Sequence, residues 1–261
     1  NSMNTLSEKL KETIGELKTA NNELQKDIEE KIRIDEARKE FIANVSHELK
    51  TPLTSISGYA EIMKSGIVKP EDMPRFSEKI YNEARRLITL VEDIIKLSKL
   101  DEGNVELEKE EVDLYKLTRE ILTRLSPQAA KRKVHVEVTG EPVEYVGIRQ
   151  ILDEMIYNIC ENAIKYNREE GKVWVTLDAD HKFFYVKVED NGVGIPKEFQ
   201  ERVFERFYRV DKARSRETGG TGLGLAITKN IILLHQGAIR LKSEEGKGAT
   251  FTVRIPLNYI P

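Results

Sequence analysis

The chain has 261 residues, enough for two domains, with 39% hydrophobic and 33% charged side chains and a formal net charge of -3. So mild a charge provides no electrostatic footprint for nucleic acid or an anionic membrane surface, and neither is expected as a partner. The single cysteine, Cys160, excludes a disulfide within the chain and reads as a buried thiol in a reducing compartment.

Residues 1 to about 40 are rich in Glu, Lys, Leu and Ile. Leu10, Ile14, Leu17, Leu24 and Ile28 recur at alternating spacings of three and four, with Asn21 filling one seam position. This predicts a coiled coil over 1–32, where a buried Asn fixes register and favours a parallel dimer. Lys31 breaks the phase, and apolar residues resume at Ile32, Ile34, Ala37 and Phe41. No apolar run is long enough to span a bilayer, and no signal peptide opens the sequence. The abrupt start Asn1-Ser2-Met3 suits a piece of a longer protein.

The helical pattern continues to Gly66 and Pro70, which predict a break. A second amphipathic helix follows over about 72–100, with Phe76, Ile80, Ala84, Leu87, Leu90, Val91, Ile94, Ile95 and Leu97 on a broad apolar face. One hairpin over 33–100 cannot enclose that much apolar surface, whereas two copies can, as a four-helix bundle. A homodimer is therefore expected on energetic grounds. Residues 101–111 read as a linker. From 112 to 261 the pattern is mixed: helices at 113–131, 147–167 and 223–235, and strands at 134–139, 172–178, 183–189, 238–244 and 249–255. The strands cluster without regular alternation with helices, which predicts an antiparallel or mixed sheet with helices on one face.

His47 is the most informative residue. It lies in Phe41-Ile-Ala-Asn-Val-Ser-His47-Glu48-Leu-Lys-Thr51-Pro52, on the polar side of the first long helix. Glu48 is close enough to hold one ring nitrogen and take its proton while the other attacks phosphorus. Thr51, one turn on, shares the face of His47 and is a candidate to orient a water with Glu48. Pro52 deprives the Glu48 carbonyl of its helical donor, so a bend is expected just past the histidine. His135 and His181 flank strands, and His235 is expected at a helix C-terminus, where a cation is favourable. No His/Cys cluster has zinc spacing.

Three further pieces suit a nucleotide. Asn158, Asn162, Lys165 and Tyr166 share one helical face. An amide oxygen there is a hard ligand for Mg²⁺, and Lys165 is a point charge for phosphate. Asp190 follows a strand. Its carboxylate accepts hydrogen bonds only, which suits the exocyclic amine of adenine, while Gly192 and Gly194 let the backbone approach the ring. Gly219-Gly220-Thr221-Gly222-Leu223-Gly224 leads into a helix whose free amides make an anion site. It is not a P-loop, because no Gly-Lys-Ser/Thr follows. Between these pieces, Phe204 to Val210 and the polar stretch 211–218 read as a hinged lid, with Arg209 available to the terminal phosphate. Gly246, Gly248 and Thr250 enter the last strand, where Thr250 is a further candidate nucleotide contact.

The stretch around His47 closely resembles the H-box of bacterial sensor histidine kinases. The later pieces, in their order, resemble the N, G1, F, G2 and final glycine boxes of the GHKL ATPases. The resemblance implies an α+β two-domain chain: a helical hairpin dimerising to a four-helix bundle, then an α/β sandwich of the left-handed βαβ Bergerat type over 112–261. It implies that Asn162 binds Mg²⁺, that Asp190 binds adenine, and that Lys165, Tyr166, Arg209 and the 219–224 loop contact phosphate or ribose of ATP. The implied activity is ATP-dependent phosphorylation of His47 and transfer to an aspartate of a response regulator, with Glu48 and Thr51 as a phosphatase pair. Asn1-Ser2-Met3 resembles the end of a HAMP module, which would place the chain on the cytoplasmic side of a membrane receptor through an absent upstream segment. An ATP-operated clamp would need a further domain to clamp with, and a degenerate scaffold would have lost the Asn, Asp or Gly positions that are present here.

Overall fold

The computed structural model describes residues 2–101, 108–210 and 220–257. The polar lid stretch 211–218, Gly219 and most of the expected linker lie outside the described residues, as does the side chain of Leu10. Backbone contacts divide the chain into Asn1–Met73 and Pro74–Pro261.

The first unit is one long helix, α1 (Ser2–Lys64), continuous through the phase break at Lys31 and through Pro52. Ile14, Leu17, Leu24, Ile28, Ile32 and Ile34 are exposed along it. It ends where the glycine signal falls: the Ser65 amide donates to the Glu61 carbonyl at 2.9 Å, and Gly66 takes a left-handed conformation (φ 72°). Pro70 opens a single 3-10 turn, Pro70–Asp72.

In the second unit α2 (Met73–Asp101) precedes the α/β domain. There β1 (Glu110–Asp113) leads into α3 (Leu114–Lys131), whose N-terminus is capped by the Asp113 carboxylate, accepting from the Lys116 amide. Next come β2 (His135–Gly140), β3 (Glu144–Gly147), α4 (Arg149–Lys165), β4 (Lys172–Ala179) and β5 (Phe183–Asp190). The domain closes with α5 (Gly224–Leu234), β6 (Ala238–Glu244) and β7 (Gly248–Pro256). No described helix is long and apolar enough to cross a membrane.

The main sheet has the order β2-β4-β5-β7-β6, with β2 parallel to β4 and every other pair antiparallel. The expected mixed sheet is therefore present. Its buried face is drawn from alternate residues: Val173, Val175 and Leu177 of β4, Phe184, Val186 and Val188 of β5, and Phe251, Val253 and Ile255 of β7. The register sets Val175 against Val188 and Val186 against Val253, so these side chains share one side. Against them lie the apolar faces of α3, α4 and α5, including Leu117, Ile121, Met155, Ile159, Ile227 and Ile231. Burying one such side chain contributes about 1.5–3 kcal/mol.

Two expectations need correction. Strands β1 and β3, which pair antiparallel, were not anticipated, because four residues each are too few for alternation to show; only Val112, Tyr145 and Gly147 face inward. His235 caps the C-terminus of α5, but burial disfavours its charged form there. It is buried, its Nδ1 lies 2.8 Å from the Ile231 carbonyl, and burial pushes its pKa below the usual histidine value. Desolvation outweighs the hydrogen bond with the Ile231 carbonyl, which favours the charged ring.

Candidate active site

On α1, His47 presents its ring to solvent, with 73% of the side chain exposed, whereas Glu48 is 22% exposed. His47 Nδ1 and Glu48 Oε1 are 4.0 Å apart, one small side-chain movement from a hydrogen bond. Thr51 Oγ1 donates back to the His47 carbonyl at 3.2 Å. That bond ties Thr51 to the histidine's own turn of helix, so the three residues form one patch.

In the second unit, α4 buries Ile151, Met155, Ile159 and Ala163 and turns Asn158, Asn162 and Lys165 to its other side. Asn158 Nδ2 donates to the Gly224 carbonyl at 3.3 Å, tying α4 to the start of α5. Lys165 Nζ lies 2.7 Å from where a side chain on Gly220 would begin and 5.4 Å from the centre of the Tyr166 ring. Its pKa is lowered, chiefly by burial; the nearby Glu161 raises it, and Arg209, Arg132 and Arg86 add to the fall. An ammonium held in such positive surroundings is a prepared seat for an anion.

Asp190 ends β5 on the helix side of the sheet, opposite the buried Val173. Its Oδ1 accepts from the amides of Gly192 (2.8 Å) and Ala249 (3.3 Å). Burial nonetheless pushes the carboxyl up to about 6, because those two bonds only partly offset desolvation. The glycines around it are sterically required. A Cβ on Gly192 would lie 2.5 Å from the Tyr166 carbonyl oxygen, and one on Gly194 (φ 67°) only 2.0 Å from that of Glu244.

The Gly-rich loop closes the site. Gly222 (φ 76°) accepts from the Phe207 amide at 2.9 Å, and Thr221 Oγ1 accepts from the Leu223 amide at 3.3 Å. Arg209 Nη2 donates to the Thr221 carbonyl at 2.9 Å, so here it braces the loop. The Leu223 side chain is wholly buried, and only its backbone faces the loop. Asn158, Asn162, Lys165 and Tyr166 thus lie on or beside α4, with Gly220 against Lys165, Gly224 against Asn158, and Thr221 and Gly222 between those two glycines. Asp190, Gly192 and Gly194 form the neighbouring edge. An acceptor-only pocket beside a glycine-lined cation seat can hold a purine nucleotide by its ring and its phosphates.

Two family models match the chain: "His Kinase A (phospho-acceptor) domain" over residues 37–103, and "Histidine kinase-, DNA gyrase B-, and HSP90-like ATPase" over 147–259. The chain belongs to the histidine kinases. Sensor histidine kinase WalK of Bacillus subtilis (strain 168) is 40% identical over 243 residues, covering 88% of this kinase and 38% of that protein. Sensor-like histidine kinase SenX3 of Mycolicibacterium smegmatis is 40% identical over 232 residues, covering 88% and 60%. The kinase thus spans less than two thirds of the length of each of these relatives. Among solved structures, the histidine kinase AdeS of Acinetobacter baumannii is similar with a TM-score of 0.69 at 26% identity, over 81% of this chain and 98% of that one. A crystal structure of histidine kinase ThkA in complex with response regulator protein TrrA matches with a TM-score of 0.67 at 28% identity, over 84% and 61%.

Thr250 is not brought to the site. The register sets it against Glu189, one residue out of phase with Asp190, so its side chain leaves the opposite face of the sheet. The Ala249 amide makes the contact instead, and Gly248 (φ 98°) lets β7 approach, since a Cβ there would lie 2.0 Å from the Asp190 carbonyl oxygen. Sequence reading also missed Asp93, whose Oδ2 accepts from Thr221 Oγ1 at 2.7 Å. A charged residue between Leu90 and Leu97, on the side of α2 that those two buried leucines mark, was the available signal.

Proposed function

We propose that this kinase phosphorylates His47 from ATP held by the α4, Asp190 and Gly-rich-loop site, and passes the phosphoryl group to an aspartate of a response regulator. The observation that carries this reading is the joint presence of an exposed His47 with a carboxylate beside it and of a half-buried acceptor, Asp190, beside a glycine-lined cation seat. Nε2 of His47 forms the N–P bond as the bond from the γ-phosphorus to its bridging oxygen breaks and ADP leaves. Glu48, on the Nδ1 side, takes the ring proton, an effect worth roughly 10²–10⁴ in rate. Asp190 accepts from the adenine amine, and Lys165 and the loop amides hold phosphate.

Mg²⁺ fits the site as an ion that arrives with the phosphates and neutralises their charge. The side-chain amide of Asn162 makes no hydrogen bond among the described residues, and no group of three or more His, Cys, Asp or Glu there could cage a metal. The reading includes a homodimer, supported by the exposed apolar residues of α1 and by Tyr81, Ile88, Val91 and Ile95 of α2. The complex of ThkA with a response regulator supports that class of partner here. Thr51 beside Glu48 supports a phosphatase activity toward the phosphorylated regulator. A cytoplasmic place beneath a membrane receptor rests on the HAMP-like opening residues alone.

Incubation with γ-labelled ATP and Mg²⁺ tests the reading. Label that is acid-labile and alkali-stable is expected on the wild type and absent from His47→Gln, with nucleotide affinity nearly unchanged. Stoichiometric labelling of His47→Gln would overturn the assignment.

A further inference from the structure

Helix α2 has two opposite faces. Leu90, Asp93, Leu97 and Asp101 fall on one side at helical spacing, and both leucines are buried. Tyr81, Ile88, Val91 and Ile95 fall on the other and are exposed. Polar groups of α2 reach three separate places on the α/β domain. Asp93 accepts from Thr221 Oγ1 at 2.7 Å, and Lys96 Nζ donates to Glu154 Oε2 of α4 at 2.7 Å. Asp101 takes Arg206 Nη2 on both oxygens, at 2.9 and 2.8 Å, and Asn230 Nδ2 of α5 at 2.9 Å.

Thr221 is only 8% exposed and sits in the loop that faces Lys165. Its hydroxyl has one hydrogen to donate, and α2 takes it with a carboxylate. We propose that α2 and the phosphates of a bound nucleotide compete for Thr221, so that docking of α2 on the α/β domain and loading of the nucleotide oppose each other. This rests on the ATP reading above. The charge at Asp93 is already disfavoured: burial raises its pKa, the Thr221 bond and Lys96 pull it back, and Glu154 and Glu161 add to the rise. Phosphate oxygens arriving at the same loop add like charge a few Å away, with Lys96 the one cation among the groups that set that pKa. Because linkage is reciprocal, whatever holds α2 down weakens nucleotide, and nucleotide releases α2. The α/β domain is then clasped while empty and freed by its own substrate.

The full chain is titrated with Mg²⁺ and a non-hydrolysable ATP analogue, and separately with adenosine, which has no phosphate. Asp93→Asn keeps the shape and removes the charge. It should tighten the analogue about tenfold and leave adenosine unchanged. Lys96→Ala and Asp101→Asn loosen the clasp without touching Thr221, and each should tighten the analogue several-fold, again sparing adenosine. If Asp93→Asn alone acts, Asp93 is a local charge and the clasp is overturned. Equal effects on adenosine, or no effect of any variant, overturn it too. A chain that binds neither analogue nor adenosine fails at the ATP reading itself, which a tight wild-type titration with indifferent variants would leave standing.

Discussion

The carboxyl of Asp190 shows a residue tuned against its own comfort. With a folded pKa of about 6, above the ordinary carboxylate value, the folded state holds its proton more tightly than the unfolded chain. Ionisation at Asp190 therefore costs stability as pH rises through the range between the two values, and that cost is fully present at neutral pH. Asp190→Asn can still accept from Gly192 and Ala249 through its amide oxygen. The nucleotide-free variant is expected to match or exceed wild-type stability at pH 7, by up to about 1–2 kcal/mol once solvent screening is allowed for. It should lose most of its stabilisation by ATP, and its preference for ATP over GTP should fall; thermal melts with and without each nucleotide check both. If Asp190 holds adenine as proposed, binding in the wild type needs the ionised acceptor, so affinity should weaken as pH falls through about 6. An affinity flat from pH 7.5 to 5 would remove Asp190 from the adenine contact. His235 runs the other way. Its lowered pKa gives stability that is present above the unfolded value and is lost as pH falls. The place of Asp190, ending a strand just before two glycines, was legible in sequence. Its raised pKa was not, because burial depends on the whole sheet.

At the scale of elements, long periodic segments were legible and short ones were not. Helices α3, α4 and α5 and the five strands of the main sheet carry enough residues for 3.6- or 2-residue periodicity to declare itself. Strands β1 and β3 do not, and Thr250 was misplaced because a one-residue change of phase moves a side chain to the other face. Tertiary partners were invisible for the same reason that Asp93 was: its meaning lies in Thr221, 128 residues away. The glycines join the elements. Gly194→Ala would force a left-handed residue and a clash with the Glu244 carbonyl, between β5 and β6. A loss of about 2 kcal/mol or more in denaturant-measured stability is expected, with nucleotide binding falling too. An Ala variant as stable as the wild type would show that the turn can re-form another way.

For the whole molecule, α1 leaves Ile14, Leu17, Leu24 and Ile28 exposed in a single chain, with Asn21 at the intervening position of the proposed seam. Asn21→Leu should tighten the dimer about tenfold or more in sedimentation equilibrium, since it removes a polar group from an apolar seam. A weaker dimer would take Asn21 out of the seam. The sheet carries a consequence of its own. Among the described residues, β2–β4 is the one parallel pair of the main sheet, and β2 stands at its edge, with Thr139 meeting Thr176 across a separation of 37 residues. Strands β4 and β5 meet through a tight turn, whereas β2 waits for β3 and α4 to be laid down between it and its partner. Loop closure of that length is slow, and an edge strand is held from one side only. In native-state hydrogen exchange, the amides of 135–140 should therefore open well below the global unfolding free energy, while those of β5 exchange only when the domain unfolds as a whole.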